Sequence, residues 1–140
     1  MNSIRLVKNL EDIVNKGLKG NVMPVVTGQR ICFNNFVVSP SSTTTGYTVT
    51  NIKTKSTVAI TYFKSTGIAI AKSLATGKDV TRKMLAYDSA LSKHYNDSIY
   101  FKHTIKETDD VRIKEIRIVR LEISIAQTKN IRKEIDKYIY

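Results

Sequence analysis

Ile116-Arg117-Ile118-Val119-Arg120-Leu121-Glu122-Ile123-Ser124-Ile125 is the stretch on which the fold turns. Read with period two, Leu121-Glu122-Ile123-Ser124-Ile125 alternates like a half-buried strand. Read with the helical period, Ile116, Val119, Ile123 and Ala126 form one stripe, with Ile118, Leu121 and Ile125 flanking it. Interleaved Glu115, Arg117, Arg120 and Glu122, the absence of Gly and Pro, and the length of the segment favour the helix. A strand from Ile116 to Ile125 is the alternative, and it would abolish the helical hairpin that the neighbouring sequence implies.

Under the helical reading, Thr108-Asp109-Asp110 supplies a turn and an N-cap, and the last helix runs to about Tyr138. Upstream, Asp79 caps another helix. Its stripe is Val80, Met84, Tyr87, Leu91, Tyr95 and Ile99, and it continues to about Lys106. The Glu107-Thr108-Asp109 connection is short enough to force the two helices to be antiparallel neighbours. The apolar band of the last helix is wider than one facing helix covers, which predicts burial against a sheet or against another subunit. Ile116, Val119, Leu121, Ile123 and Ile125 are therefore candidate contacts of a homo-oligomer, a dimer being the expectation.

The front half reads differently. Ser3 caps a first helix to about Lys16, with Leu6, Leu10 and Ile13 on one face and Gly17 and Gly20 as stops. Val22-Met23-Pro24-Val25-Val26 carries a proline and predicts an edge strand. Arg30-Ile31-Cys32-Phe33 and Phe36-Val37-Val38 are strands meeting in a tight turn at Asn34-Asn35, or one longer strand with a bulge. After a polar loop, Tyr47-Thr48-Val49-Thr50-Asn51-Ile52 and Thr57-Val58-Ala59-Ile60-Thr61-Tyr62 alternate around Lys53-Thr54-Lys55-Ser56 and predict a hairpin. Ser65 or Thr66 then caps a helix through Ile68, Ala71, Leu74 and Ala75, ended by Gly77. The class is α+β, one domain over residues 1–140. It combines a small antiparallel sheet of three to five strands in residues 22–63, an N-terminal helix, a helix after the hairpin and a long C-terminal helical hairpin.

Composition bounds the function classes. With 41% hydrophobic and 25% charged residues, the 140-residue chain is globular in character. No apolar run approaches the ~20 residues of a membrane span; Gly67-Ile68-Ala69-Ile70-Ala71 is broken by Lys72. No membrane partner is expected. The N-terminus lacks a signal-peptide pattern. Cys32 is the single cysteine, which excludes an intrachain disulfide and a cysteine zinc site, so a cytoplasmic setting is expected.

The net charge is +11, and no Asp or Glu lies between Asn21 and Lys78, where Arg30, Lys53, Lys55, Lys64, Lys72 and Lys78 stand. A one-signed region attracts polyanions, so DNA or RNA is a candidate partner. Arg30, Lys53, Lys55 and Lys64 would meet phosphates, with Tyr47 or Tyr62 stacking on bases. Against this, a small sheet needs its aromatics for a core, and lysines scattered over loops only keep a chain in solution.

No constellation supports catalysis or a cofactor. His94 and His103 are nine positions apart on one helix, not the i, i+3 or i+4 of helical metal ligands. Asp109-Asp110 reads as helix capping. No Gly-x-Ser-x-Gly occurs, and Ala75-Thr76-Gly77-Lys78 is a helix end, not a phosphate loop. A non-enzymatic protein without metal or cofactor is expected.

Tyr47-Thr48-Val49-Thr50-Asn51-Ile52-Lys53-Thr54-Lys55, Ala59 and Ile68-Ala69-Ile70-Ala71-Lys72, followed by Tyr95-Asn96-Asp97-Ser98-Ile99-Tyr100-Phe101-Lys102-His103-Thr104-Ile105, resemble small uncharacterised proteins of tailed phages of marine bacteria. The resemblance covers roughly residues 30 to 140. It implies expression in the cytoplasm of a bacterial host and carries no activity or site residue with it.

Overall fold

Five consecutive strands form an antiparallel meander: β1 (Val25–Thr27), β2 (Arg30–Phe33), β3 (Phe36–Pro40), β4 (Tyr47–Asn51) and β5 (Ser56–Thr61), in the order β1-β2-β3-β4-β5. The structure is a computed structural model that describes residues 24–43 and 45–140. The N-terminal helix expected between Ser3 and Lys16 lies outside the described residues. Pro24 stands just before edge strand β1, where its missing N–H breaks no ladder. Asn34 takes a φ of 54° between β2 and β3, and Phe33 pairs with Phe36. Asn34-Asn35 is thus a tight turn between two strands, not a bulge within one. Between β4 and β5, Asn51 Oδ1 accepts the N–H groups of Lys53 (3.0 Å) and Thr54 (3.3 Å), while Lys55 has a φ of 59°.

The β4–β5 hairpin departs from strict alternation. Val49 pairs with Ala59 but Thr50 pairs with Thr57, so Val58 is an extra, bulged residue. Val58 and Ala59 both pack on the core side. Downstream, Thr61 is buried, while Ile60 and Tyr62 point outward at 60% and 62% exposure.

One face of the sheet packs on α1 (Lys64–Ala75). Ile31, Phe33, Val38, Val49 and Ala59 meet Ile68, Ala69, Ile70 and Ala71, four consecutive helical residues that are all fully buried. A helix buried all round lies between two layers, and α1 sits between the sheet and the two C-terminal helices. Gly67 sets the close approach to the sheet. A Cβ there would stand 3.0 Å from Val38 Cγ1 and 3.4 Å from Thr61 Oγ1.

The start of α1 corrects the expectation of a Ser65 or Thr66 cap. The N-cap is Phe63, which offers no side-chain acceptor. The acceptor comes from the next helix instead. Buried Asp88 takes the N–H of Tyr62 (2.7 Å), the N–H of Phe63 (3.2 Å) and the hydroxyl of Thr66 (2.8 Å). At the other end Gly77, with a φ of 82°, stops α1 as expected, and its N–H reaches Leu74 O at 3.0 Å.

α2 (Thr81–Thr104) ends in a 3-10 turn (Ile105–Glu107), and α3 (Val111–Asp136) follows. The N-cap of α2 is Val80 and not the expected Asp79, which stands one residue earlier and accepts from Thr81 N (3.0 Å). Asp110 is the N-cap of α3 as expected, its Oδ1 accepting from Arg112 N (2.9 Å) and Ile113 N (3.3 Å). The stretch 116–125 is therefore helix throughout, inside a helix about 39 Å long at ~1.5 Å per residue. The two helices are antiparallel. Lys83 Nζ meets Tyr138 OH (2.8 Å) at one end, and Arg117 Nη1 donates to Thr104 O (2.6 Å) at the other.

Candidate self-association surface

The helical hairpin has a base and a tip with opposite polarity. At the base, Val80, Met84 and Leu91 from α2 and Ile135 and Ile139 from the C-terminal segment join the core of the sheet and α1. Buried Lys72 reaches across from α1 and donates to Ile139 O at 2.6 Å. Such pairing is what a buried charged group requires, while the buried Thr81 hydroxyl at the start of α2 has no hydrogen-bond partner among the described residues.

Toward the tip, the α2 stripe does not continue through Tyr95 and Ile99 as expected. Tyr87, Leu91, Tyr95 and Ile99 are separated by steps of four, and each such step rotates a stripe by about 40° on a helix of 3.6 residues per turn. After three steps the side chains have left the seam. Tyr95 and Ile99 are 41% and 52% exposed, although the Tyr95 ring still meets Phe63 edge-on at 6.2 Å. Half-buried His94, Ser98 and Phe101 and buried Thr104 face α3 instead.

On α3, the positions turned to α2 step by three and four: Lys114, Arg117, Leu121, Ser124, Thr128, then Ile131 and Ile135. In the tip half, Leu121 is the one large apolar residue of that seam. The apolar residues lie outside it. Val111, Ile113, Ile116, Ile118, Val119, Ile123 and Ile125 are all between 40% and 66% exposed. Of the candidate oligomer contacts, Ile116, Val119, Ile123 and Ile125 are thus free on the surface, and Leu121 belongs to the seam with α2.

Adding Tyr95, Ile99 and Tyr100 of α2 gives ten large exposed apolar side chains on the hairpin. At roughly 90 Å² apiece they present on the order of 900 Å² in total, divided over different sides of the hairpin, so that any one contact covers only part of it, less than the ~800 Å² that each partner buries in a standard interface. Tyr100, Phe101, Ile113, Ile116, Arg117 and Arg120 enclose an open cleft of about 320 Å³ within this surface. The Arg120 guanidinium lies 6.0 Å from the Phe101 ring centre, a cation–π distance.

A second cleft, about 490 Å³, lies where β5 meets α2, lined by Thr45, Ile60, Thr61, Tyr62, Leu85 and Asp88 among others. Its carboxylate, Asp88, has both oxygens engaged by the start of α1. Among the described residues no group of three His, Cys, Asp or Glu could hold a metal ion, and no helix is long and apolar enough to cross a membrane.

The candidate nucleic-acid contacts are divided between the two ends of the sheet. The pairings Pro40 with Tyr47 and Tyr47 with Thr61 place Tyr47, Tyr62 and Lys64 at the end where β2 begins with Arg30. Lys53 and Lys55 lie in the β4–β5 turn at the other end, about 17 Å away along a five-residue strand. Tyr47 packs against the core on the α1 side while Tyr62 faces out. Lys64 is half-buried, and burial pushes its ammonium below the ordinary lysine value. Phe33 is fully buried and Phe36 packs against the core, so neither offers a stacking face.

No family model, curated protein or solved structure matches the chain.

Proposed function

We propose that this chain is a non-enzymatic structural or accessory protein that self-associates through the tip half of its helical hairpin. One observation carries the reading: α3 turns Ser124, Thr128 and Arg117 inward and leaves Ile116, Val119, Ile123 and Ile125 about half exposed. Covering half of the ~900 Å² at ~25 cal/mol per Å² contributes on the order of 11 kcal/mol per copy before the cost of association. The tailed-phage resemblance and a host-cell setting accompany this proposal and are supported by the sequence motifs alone.

The test is light scattering on eluted protein at tens of micromolar. A mass of two or more chains is expected, and Ile116→Ser with Ile123→Ser should return it to one chain with unchanged circular dichroism. A single-chain mass for the wild type up to ~100 µM contradicts the proposal.

A weak, sequence-indifferent nucleic-acid-binding module is the second reading, supported by the net charge of +11 and the acid-free span. The separation of Lys53 and Lys55 from Arg30 and Lys64 weighs against a single docking patch. Anisotropy with a labelled oligonucleotide at ~50 mM salt separates the two, since neutralising even four phosphates gives a salt slope of roughly −3 to −4.

A further inference from the structure

We infer that the copies pack front to back, one flank of α3 against the opposite flank of the next copy's α3, so that each hairpin meets two neighbours. This rests on the self-association proposed above and specifies its partner surface, a second copy of the chain presenting its other side.

The inference starts from helical geometry. At about 100° per residue, α3 has three faces, each roughly a third of its circumference. One is the seam toward α2, through Arg117, Leu121 and Ser124. A second, here the front, carries Arg112, Ile116, Val119, Arg120 and Ile123. The third, the back, carries Val111, Glu115, Ile118, Glu122 and Ile125, spaced four, three, four and three. All ten residues of front and back are exposed.

Both flanks are apolar, but their charges are opposite. The front interleaves its apolar residues with Arg112 and Arg120, the back with Glu115 and Glu122. Among the described residues these four take no part in the ion pairs within the chain, such as His103 with Glu107 and Lys137 with Glu134. A front-to-front contact sets arginine against arginine. A back-to-back contact sets glutamate against glutamate. Only front to back covers both apolar stripes and opposes unlike charges, and like charges juxtaposed across an interface cost several kcal/mol. A repeated contact between two different patches closes into a ring or continues as a filament.

The test is a mixing experiment with two variants. Ile116→Ser with Ile123→Ser removes the front, and Ile118→Ser with Ile125→Ser removes the back. All four positions are surface-exposed, so the core is untouched, and circular dichroism checks that each variant folds. Each variant alone is expected to sediment as one chain. Mixed one to one, they should double to two chains, because each retains the flank the other lacks. Adding Glu115→Arg and Glu122→Arg to the front variant should weaken this pair about tenfold or more, and Arg112→Glu with Arg120→Glu in the back variant should restore it. Front-to-back packing is overturned if either variant alone remains a dimer, or if the mixture stays at one chain while the wild type is larger. A wild type of single-chain mass overturns self-association itself, and this inference with it.

Discussion

The base and the tip of one helical hairpin solve the same packing problem in opposite ways. At the base, Met84, Leu91, Ile135 and Ile139 are buried, and the buried Lys72 ammonium is hydrogen-bonded to Ile139 O. Roughly 15–30 Å along the same two helices, Ser124 and Thr104 are buried while Ile116, Val119 and Ile123 are exposed. Propensity and capping do not distinguish the halves, since one continuous helix spans both. The difference is what each half packs on: the base has the sheet and α1 beneath it, and the tip has only the other helix. The base is specified by contacts within the chain, whereas the large apolar side chains of the tip are left exposed by the single chain.

The sharpest way to break this contrast is at Asp88. Asp88→Ala strands two backbone N–H groups and the Thr66 hydroxyl at a buried junction, and is expected to cost about 4 kcal/mol in urea unfolding. A loss below about 1 kcal/mol would remove Asp88 as the pin between sheet, α1 and α2.

A paired truncation on α2 compares the two halves directly. Leu91→Ala at the base should cost about 3 kcal/mol. Ile99→Ala, two turns nearer the tip, should change the stability of the isolated chain by less than ~0.5 kcal/mol. Equal losses would mean the tip is packed like the base. Gly67→Ala comes next. Its Cβ meets Val38 Cγ1 at 3.0 Å in a fully buried setting, and overpacking of about 1–2 kcal/mol should exceed the gain in helix propensity.

The smallest effect is a pH dependence at the start of α2. The N–H of Thr81 donates to Asp79 and holds its carboxyl below the ordinary value. A depressed carboxyl stabilises the fold above its unfolded-state pKa of about 4, and that stability is lost as pH falls through the folded value. Thermal unfolding between pH 5 and 2 should show a modest acid loss attributable to this group that Asp79→Asn abolishes; an identical acid slope in the variant would exclude the Thr81–Asp79 hydrogen bond as its source.

Local features of the sequence were enough for much of this fold. Alternating β-branched residues, Asn34-Asn35, Gly77 and Asp110 each act within a few residues of themselves, and each sits where its chemistry requires. The helical reading of 116–125 holds for the same reason. Asp88 was not legible, because a cap donated by a helix some 25 residues downstream leaves no local signature. The Val58 bulge was hidden too. One extra residue inverts the faces beyond it, and the run Thr57 to Tyr62 alternates in either register. The wide apolar band of α3 was visible in sequence, whereas the division into a polar seam and two apolar flanks needed the position of α2. The basic residues gave no hint that the sheet separates them, since charge carries no information about register.

Hydrogen exchange read at two concentrations tests the central claim most directly, because it reports base and tip in one sample. If the tip of α3 is covered by other copies, amides in 111–125 should exchange at least about tenfold more slowly at ~100 µM than at ~1 µM, while those of α1 in 64–75 do not change. Exchange in 111–125 that is independent of concentration, with α1 equally unaffected, would contradict it.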